Sequence, residues 1–243
     1  MEYSISDFIT ESISVKNFRH LDLLLMKTID GFGFTRFGYV ARSLGGTTNS
    51  DPVVVRHTYP NAWVDHYMQN EYYLIDPVVI RGENESIPFE WGGKKFIKSV
   101  TKNQAEMFYE AEDFFIRNGF TVPIHGKGNE SATLTVLCEE NHNYFSQQIN
   151  QHRHDIHILA HFYHQKVKEI YFSKEEKLSY LTNREIECLT WASHGKTYSD
   201  IASILSISRN TVIFHIQNAK QKLDVKTITH AITKAIQASL IKF

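Results

Sequence analysis

The stretch LTNREIECLTWASHGKTYSDIASILSISRNTVIFHIQNAKQKL, residues 181–223, decides how the C-terminal part of this chain folds. Thr182 and Glu185 form the T-x-x-E pattern of a capping box, which predicts that a helix begins there. A second short helix follows, and Ser208, in the tight turn after it, can cap a third helix over 209–223. Short helices joined by such a turn are the parts of a helix-turn-helix.

The charge is distributed unevenly around this stretch. Residues 174–243 contain ten Lys/Arg and six Asp/Glu, whereas residues 1–173 contain sixteen and twenty-one. A basic segment joined to an acidic one is typical of a nucleic-acid-binding module attached to a sensing domain. A net charge of +4 is common in a segment of this length, so charge alone does not decide the function.

The composition indicates an ordinary soluble protein of two domains. The chain has 243 residues, of which 42% are hydrophobic and 22% charged. We find no apolar run long enough for a bilayer and no signal peptide, so no membrane contact is expected. Cys138 and Cys188 lie far apart, which favours buried free thiols in a reducing cytoplasm.

Apolar spacing and turn residues predict the elements of the remaining chain. Helices are expected over 7–29, 60–73, 104–118, 146–171 and 227–240, and strands near 34–40, 53–55, 121–124 and 133–138. This mixture predicts an α+β protein. An N-terminal αβα sandwich with a central antiparallel sheet (1–172) is joined by a polar linker (173–180) to an all-α four-helix helix-turn-helix domain (181–243).

The C-terminal stretch closely resembles the effector domain of LuxR-type transcriptional regulators, along about its last 65 residues. The resemblance rests on a dense, gap-free set that includes Glu185, Gly195, Ile201, Thr211 and Val212. It implies a protein that binds double-stranded DNA, with 209–223 as recognition helix and 227–240 as a dimerisation helix. The DNA-binding residues it implies are Lys196, Thr197, Ser208, Asn210, Thr211, Ile213, Phe214, Gln217 and Lys220.

Within that set, the resemblance assigns Ile213, Phe214 and Gln217 to the bases. It assigns Lys196, Thr197, Ser208, Thr211 and Lys220 to phosphates. Ile213 cannot donate to guanine, so contact with a thymine methyl is its expected role, while Gln217 suits adenine. A contact with a partner, or simple tolerance, remains an alternative for Ile213.

The block YPNAWVDHYMQNEYYLIDPVV, residues 59–79, resembles the N-acyl-homoserine-lactone-binding domain of quorum-sensing LuxR-type proteins. The positions that match the family are Trp63, Tyr67, Asp76, Pro77, Trp91 and Gly119. The resemblance implies that Trp63 donates to the ring carbonyl of the lactone, Asp76 accepts from its amide N–H, and Tyr59 donates to its amide carbonyl. Thr135 would lie near the acyl carbonyl, with Tyr67 and Trp91 as walls.

The expected protein is therefore a cytoplasmic, ligand-responsive regulator that binds an inverted-repeat operator as a homodimer. No cofactor is expected besides the lactone ligand. Val64 and Val78 stand where some family members have polar residues, so recognition of a 3-oxo group is not implied. A regulator that responds to a different ligand, or to none, remains the alternative.

The chain has thirteen histidines, and HRHDIH at 152–157 superficially resembles the HxHxDH zinc motif of lactone-hydrolysing enzymes. The order of residues differs, and a helix would separate His152 and His154 by about 200° around its axis. We therefore expect neither an enzyme nor a metal site of that kind. His154, His157, His161 and His164 have the spacing of one helix face. They are interpreted as a polar stripe at an interface, with a pH-sensitive or metal-bridged dimer as the alternative.

Overall fold

The computed structural model describes residues 3–44, 54–127, 129–174, 181–237 and 240–241. These residues form two compact units, an N-terminal one that ends at Lys174 and a second one built chiefly from the C-terminal residues. The first unit combines a sheet with helices and the second is helical, so the predicted α+β class with an all-α C-terminal domain is confirmed.

Five strands form one sheet at the centre of the N-terminal unit, in the order β2-β1-β5-β4-β3. The strands are β1 (Arg36–Ser43), β2 (Val54–His57), β3 (Phe89–Gly92), β4 (Asn118–His125) and β5 (Ser131–Leu137). The pairs β1–β2, β3–β4 and β4–β5 are antiparallel. All of β4 except its last residue is buried, so both faces of the sheet are covered there, as in a sandwich.

Helices of the N-terminal unit differ from the predicted ones in their bounds. They are α1 (Ile5–Ser12), α2 (Phe18–Gly31), α3 (Asn61–Gln69), α4 (Pro77–Asn84), α5 (Gly93–Ile97), α6 (Lys102–Glu112) and α7 (His142–Lys174), with a 3₁₀ turn at Tyr72–Leu74. The single helix predicted over 7–29 was wrong. Asn17 accepts a hydrogen bond from the backbone N–H of His20 at 2.9 Å and begins a second helix there.

Two other predicted helices end early because a residue adopts a left-handed backbone. Glu71 has φ of 52° and separates α3 from the 3₁₀ turn, so the helix predicted over 60–73 is interrupted. Phe115 has φ of 61° and follows α6, so the chain turns into β4 at Asn118 instead of continuing the helix. Non-glycine residues rarely adopt this conformation, and no sequence signal marks either position.

The long helix α7 contains the HRHDIH segment, as expected, but not all four predicted histidines share its exposed face. His164 is buried, and its Nδ1 lies 2.7 Å from the hydroxyl of Tyr39 on β1. His154 and His161 are exposed and His157 is half-buried. The stripe is therefore corrected to three residues, because the helix turns His164 towards the sheet. The helix also includes the first two residues of the predicted linker, whose remaining residues, 175–180, lie outside the described residues.

The C-terminal unit contains α8 (Asn183–Ser193), α9 (Tyr198–Leu205), α10 (Arg209–Lys222) and α11 (Ile228–Gln237). Thr182 and Glu185 make the predicted capping box. The carboxylate of Glu185, which is buried, also accepts from Lys222 Nζ at 2.8 Å and thereby joins α8 to α10. Residues from all four helices form one core, which includes Leu189, Ile201, Val212, Ile216 and Ala231.

Candidate ligand-binding pocket and candidate nucleic-acid interface

A cavity of about 170 Å³ lies in the N-terminal unit, between the sheet and the helices α3, α4 and α6. Its walls are largely apolar and include Val64, Val79, Met107, Phe108 and Ile116. All six residues that the sequence assigned to a ligand line it: Tyr59, Trp63, Tyr67, Asp76, Trp91 and Thr135. An apolar cavity with a few converging polar groups is the usual form of a small-molecule site.

Asp76 supplies the acceptor at this cavity and also begins α4. One carboxylate oxygen accepts from the backbone N–H of Val78 at 2.7 Å, as a helix N-cap, and the other accepts from the Tyr67 hydroxyl at 3.0 Å. Burial raises the pKa of Asp76 above its ordinary 3.8, against the hydrogen bonds that favour the ionised form. Burial and the nearby Asp76 also raise the pKa of the Tyr67 hydroxyl. The carboxylate keeps further acceptor capacity for a donor in the cavity.

Several polar atoms at the cavity have no hydrogen-bond partner among the described residues, and they include Nδ1 of His57. Two of them belong to donors that the family resemblance assigned to a ligand. They are the indole N–H of Trp63 and the hydroxyl of Tyr59. Tyr59 lies against Gly38 of β1, where an added Cβ would stand 2.6 Å from its hydroxyl oxygen. Burial raises the pKa of Tyr59, so the hydroxyl keeps its proton. Both groups are therefore available to acceptors on a bound molecule.

Trp91 differs from Trp63 because its indole N–H already has a partner. It donates to the Thr121 hydroxyl at 3.0 Å, and that hydroxyl lies 2.8 Å from the Thr135 hydroxyl. The sheet register explains the contact, since Thr121 of β4 pairs directly with Thr135 of β5. Trp91 packs over Gly119, where a Cβ would overlap the indole ring. Thr121 was not predicted from the sequence, because pairing across strands is not visible in the local sequence.

Hydrogen bonds to α6 fix the aromatic wall around Trp63. Glu110 accepts from the Tyr72 hydroxyl at 2.5 Å, and its carboxylate lies 2.7 Å from Nε2 of His66. These two contacts lower the pKa of Glu110, and the same carboxylate raises the pKa of Tyr72 to about 12. Gln104 donates from its side chain to the backbone carbonyl of Ile75 at 2.8 Å. Helix α6 therefore holds the segment that contains Trp63 and leads to Asp76.

Arg56 and His57 of β2 form a polar part of the wall that was not predicted from the sequence. Arg56 is ion-paired with Asp22 of α2, and Asp22 also accepts from the Tyr163 hydroxyl of α7 at 2.6 Å. Burial, and then the neighbouring Arg56, lower the pKa of His57. These residues connect the cavity wall to α2 and α7.

The predicted base-contacting residues lie on α10 in the C-terminal unit. Phe214 is 59% exposed and Gln217 is exposed, whereas Ile213 is half-buried. Val212, Ile216 and Ala219 form the buried face of the helix. The outer face of the helix thus presents an aromatic ring beside an amide. That surface can contact base edges by apolar contact and by a paired amide hydrogen bond.

The predicted phosphate-contacting residues lie at helix starts and along α10. Thr197 is the N-cap of α9 and shares a capping box with Asp200, and Ser208 is the N-cap of α10 and contacts Thr211 at 2.8 Å. Lys196 precedes α9 and is exposed, as is Asn210 in the first turn of α10, while Lys220 in the last turn is half-buried. Helix N-termini with exposed N–H groups favour phosphate oxygens.

Two negative findings apply to the described residues. No group of three or more His, Cys, Asp or Glu side chains there is arranged to hold a metal ion. Among the described helices, none has both the length and the apolar character that a membrane crossing requires.

Comparison with known proteins assigns each unit to a family. Residues 19–167 match the family described as "Autoinducer binding domain", and residues 179–235 match "Bacterial regulatory proteins, luxR family". The chain is 33% identical to the transcriptional activator protein EchR of Dickeya chrysanthemi, over 100% of this chain and 96% of that protein. It is 31% identical to the transcriptional activator protein CarR of Pectobacterium carotovorum subsp. carotovorum, over 89% and 90% of the two chains.

Solved structures share the fold over nearly the whole chain. The crystal structure of Escherichia coli SdiA has a TM-score of 0.77 at 19% identity and covers 98% of both chains. SdiA in complex with octanoyl-rac-glycerol has a TM-score of 0.75 at 18% identity and covers 96% of this chain and 93% of that one.

Proposed function

The chain belongs to the LuxR family of transcriptional regulators, and from that premise we propose that it senses an N-acyl-homoserine lactone and binds an inverted-repeat operator as a homodimer. It carries an autoinducer-binding domain and a luxR-type DNA-binding domain. Its relatives are transcriptional activators, so it is not a lactone-hydrolysing enzyme. We place the ligand domain at 1–172, the linker at 173–180 and the DNA-binding domain at 181–243.

The observation that supports the lactone is the match between its head group and the cavity. The head group offers two carbonyl acceptors and one amide donor. Among its polar groups, the cavity offers Trp63 and Tyr59 as donors without protein acceptors and Asp76 as a buried carboxylate. Because an unpaired buried polar group costs about 1–3 kcal/mol, a ligand that satisfies all three is strongly preferred over an apolar one.

We propose individual roles on this basis. Trp63 donates to the ring carbonyl, Tyr59 to the amide carbonyl, and Asp76 accepts from the amide N–H. Thr135 contacts the same amide carbonyl, which is the acyl carbonyl of the ligand. Tyr67 holds Asp76 in position, and Trp91 packs against the head group. The apolar lining, which includes Val64, Val78 and Met107, receives the acyl chain.

At the C-terminal unit, we propose that α10 enters the major groove. Phe214, Gln217 and Ile213 would contact bases, and the hydroxyl, amide and lysine groups at the helix starts would contact phosphates. A homodimer presents two such helices, which requires half-sites about one helical turn apart. Ligand binding would shift the population of two dimer geometries and so change the fit to the operator.

Thermal-shift measurements against a panel of acyl-homoserine lactones test the ligand assignment. We expect one or more lactones to raise the melting temperature of the full chain, and W63F and D76N to abolish that rise. The matched controls are W191F, in the C-terminal unit, and D65N, on the exposed side of α3. Both controls should keep the full shift, since neither residue lines the cavity.

The same panel separates the lactone from a different ligand. Octanoyl-rac-glycerol is included because SdiA, which shares the fold, was crystallised with it. A shift with the glycerol ester and with no lactone would replace the lactone by a different polar-headed lipid. A lactone shift that survives both W63F and D76N would show that the binding site lies elsewhere.

A further inference from the structure

Three histidines on the outer side of α7 form a cluster that neither the cavity nor the DNA-binding surface uses. His154, His157 and His161 line a shallow depression together with Ile158 and Phe162. His157 and His161 are one helical turn apart, and their ring centroids are separated by 5.1 Å. Their side chains thus lie side by side on the surface of the N-terminal unit.

Both rings have ligating nitrogens available. Among the described residues, neither His157 nor His161 has a hydrogen-bond partner. A neutral imidazole is the form that binds a transition metal. Two histidines at i and i+4 on one helix face can coordinate the same ion, as in known zinc motifs.

The carboxylates of this part of α7 are engaged elsewhere. Asp155 lies 3.4 Å from Nδ1 of His152, and Glu169 pairs with Lys166 at 3.0 Å. Of the basic residues, Arg153 pairs with Glu90 at 2.7 Å. The described part of the chain supplies no third ligand to the histidine pair. Structural zinc sites are almost always tetrahedral with four ligands, so the pair is half of a site.

Beside the pair, two large apolar side chains are exposed: Ile158 by 47% and Phe162 by 42%. An interface between two identical chains related by a two-fold axis brings the same patch of each chain together. Such an interface would cover Ile158 and Phe162 and place a second His157–His161 pair opposite the first. Four imidazoles then complete the coordination that one chain leaves unfinished.

We propose that two copies of this chain hold a divalent transition-metal ion of the zinc type between them, through His157 and His161 of each copy. The site makes association through this face of α7 dependent on the metal. It is independent of the lactone, so its failure would leave the proposed ligand binding untouched.

Sedimentation velocity of the full chain over a concentration series, with EDTA or with zinc and without lactone, tests the proposal. An ion held only by the associated form raises the association constant by about tenfold at a zinc concentration ten times its dissociation constant. Titration with Co²⁺ should give the absorption of a tetrahedral site and saturate at one ion for two chains. H157A and H161A should each lose both effects.

H154A is the matched control, because His154 lines the same depression but is not part of the ring pair. It should keep the zinc effect and the cobalt spectrum. His154 and His161 are exposed and His157 is half-buried. Unchanged thermal unfolding in EDTA verifies that the variants fold. An association constant that zinc leaves unchanged would overturn the proposal. So would one ion bound per chain without association, or a zinc effect that survives in both H157A and H161A.

Discussion

Asp76 both begins helix α4, as its N-cap, and lines the cavity. Its carboxylate caps α4 through Val78 and accepts from Tyr67, which holds the helix and the aromatic wall in place. Burial nevertheless disfavours its charge, as the raised pKa shows. The family resemblance identified Asp76 in the sequence. The unfavourable burial of its charge could not be predicted, because it depends on three-dimensional surroundings that local sequence patterns do not contain.

We predict that D76N is at least as stable as the wild-type protein at neutral pH without ligand. Asparagine still accepts from Val78 as an N-cap, and it removes a buried charge. The native state of the wild type binds the Asp76 proton more tightly than the unfolded state does. Its stability relative to D76N therefore falls as pH rises from the ordinary pKa of 3.8 to the raised one, and recovers on acidification.

Urea unfolding of both proteins across this pH range, followed by circular dichroism, measures the difference. D65N, which changes an exposed carboxylate, should follow the wild type throughout. A D76N protein that is several kcal/mol less stable at neutral pH would show that the carboxylate stabilises the fold.

At the scale of elements, the C-terminal helices were predictable and several N-terminal bounds were not. The capping box at Thr182 was predicted because its two residues are only three apart in the sequence. The box at Thr197 has the same spacing but was not predicted. The left-handed residues Glu71 and Phe115 have no such signal. Likewise, the contact of Thr121 with Trp91 depends on strand register, which a chain read residue by residue does not give.

The buried pair that joins α8 to α10 gives a prediction at this scale. Burial alone would raise the pKa of Glu185, but hydrogen bonds from Lys222 and Thr182 outweigh it and lower the pKa below 4.5. E185Q keeps the capping box and loses the charge opposite Lys222, which should cost about 1–2 kcal/mol of unfolding free energy. E185A loses the cap as well and should cost more.

The lowered pKa fixes the sign of the pH dependence. The Glu185 contribution is present above pH 4.5 and is lost as the pH falls through the lowered value, so wild type and E185Q converge in acid. Unfolding is followed by circular dichroism and by tryptophan fluorescence, to which Trp191 contributes from its position against the C-terminal core. E187Q is the control, because its exposed pair with Arg184 should be worth less than about 1 kcal/mol. Equal losses in E185Q and E187Q would contradict the buried role.

At the scale of the whole molecule, the chain has two units, each with a core of its own. The charge asymmetry and the disappearance of strand patterns after residue 173 predicted this division from the sequence. The sequence could not predict which histidines of α7 are on the surface of the N-terminal unit. That depends on how α7 is turned towards the sheet, which buries His164.

We predict that calorimetry of the full chain resolves two unfolding transitions. Lactone at a hundred times its dissociation constant should stabilise the N-terminal unit by about 2.7 kcal/mol and leave the other transition in place. E185A should shift only the unfolding transition of the C-terminal unit, because Glu185 lies in that unit. A single transition that moves as a whole with both changes would show that the units unfold together.

The hydrogen bonds that link Trp91, Thr121 and Thr135 run in one donor-to-acceptor direction. An indole N–H can only donate, so the Thr121 oxygen accepts from it. The buried Thr121 hydroxyl satisfies its own proton, within the described residues, only by giving it to Thr135. With this direction, the Thr135 proton is available to an acceptor in the cavity that Thr135 lines, and the two bonds behind it polarise it. These bonds therefore present a hydroxyl donor on this wall of the cavity, and the carbonyl oxygen of a bound molecule is a suitable acceptor for it.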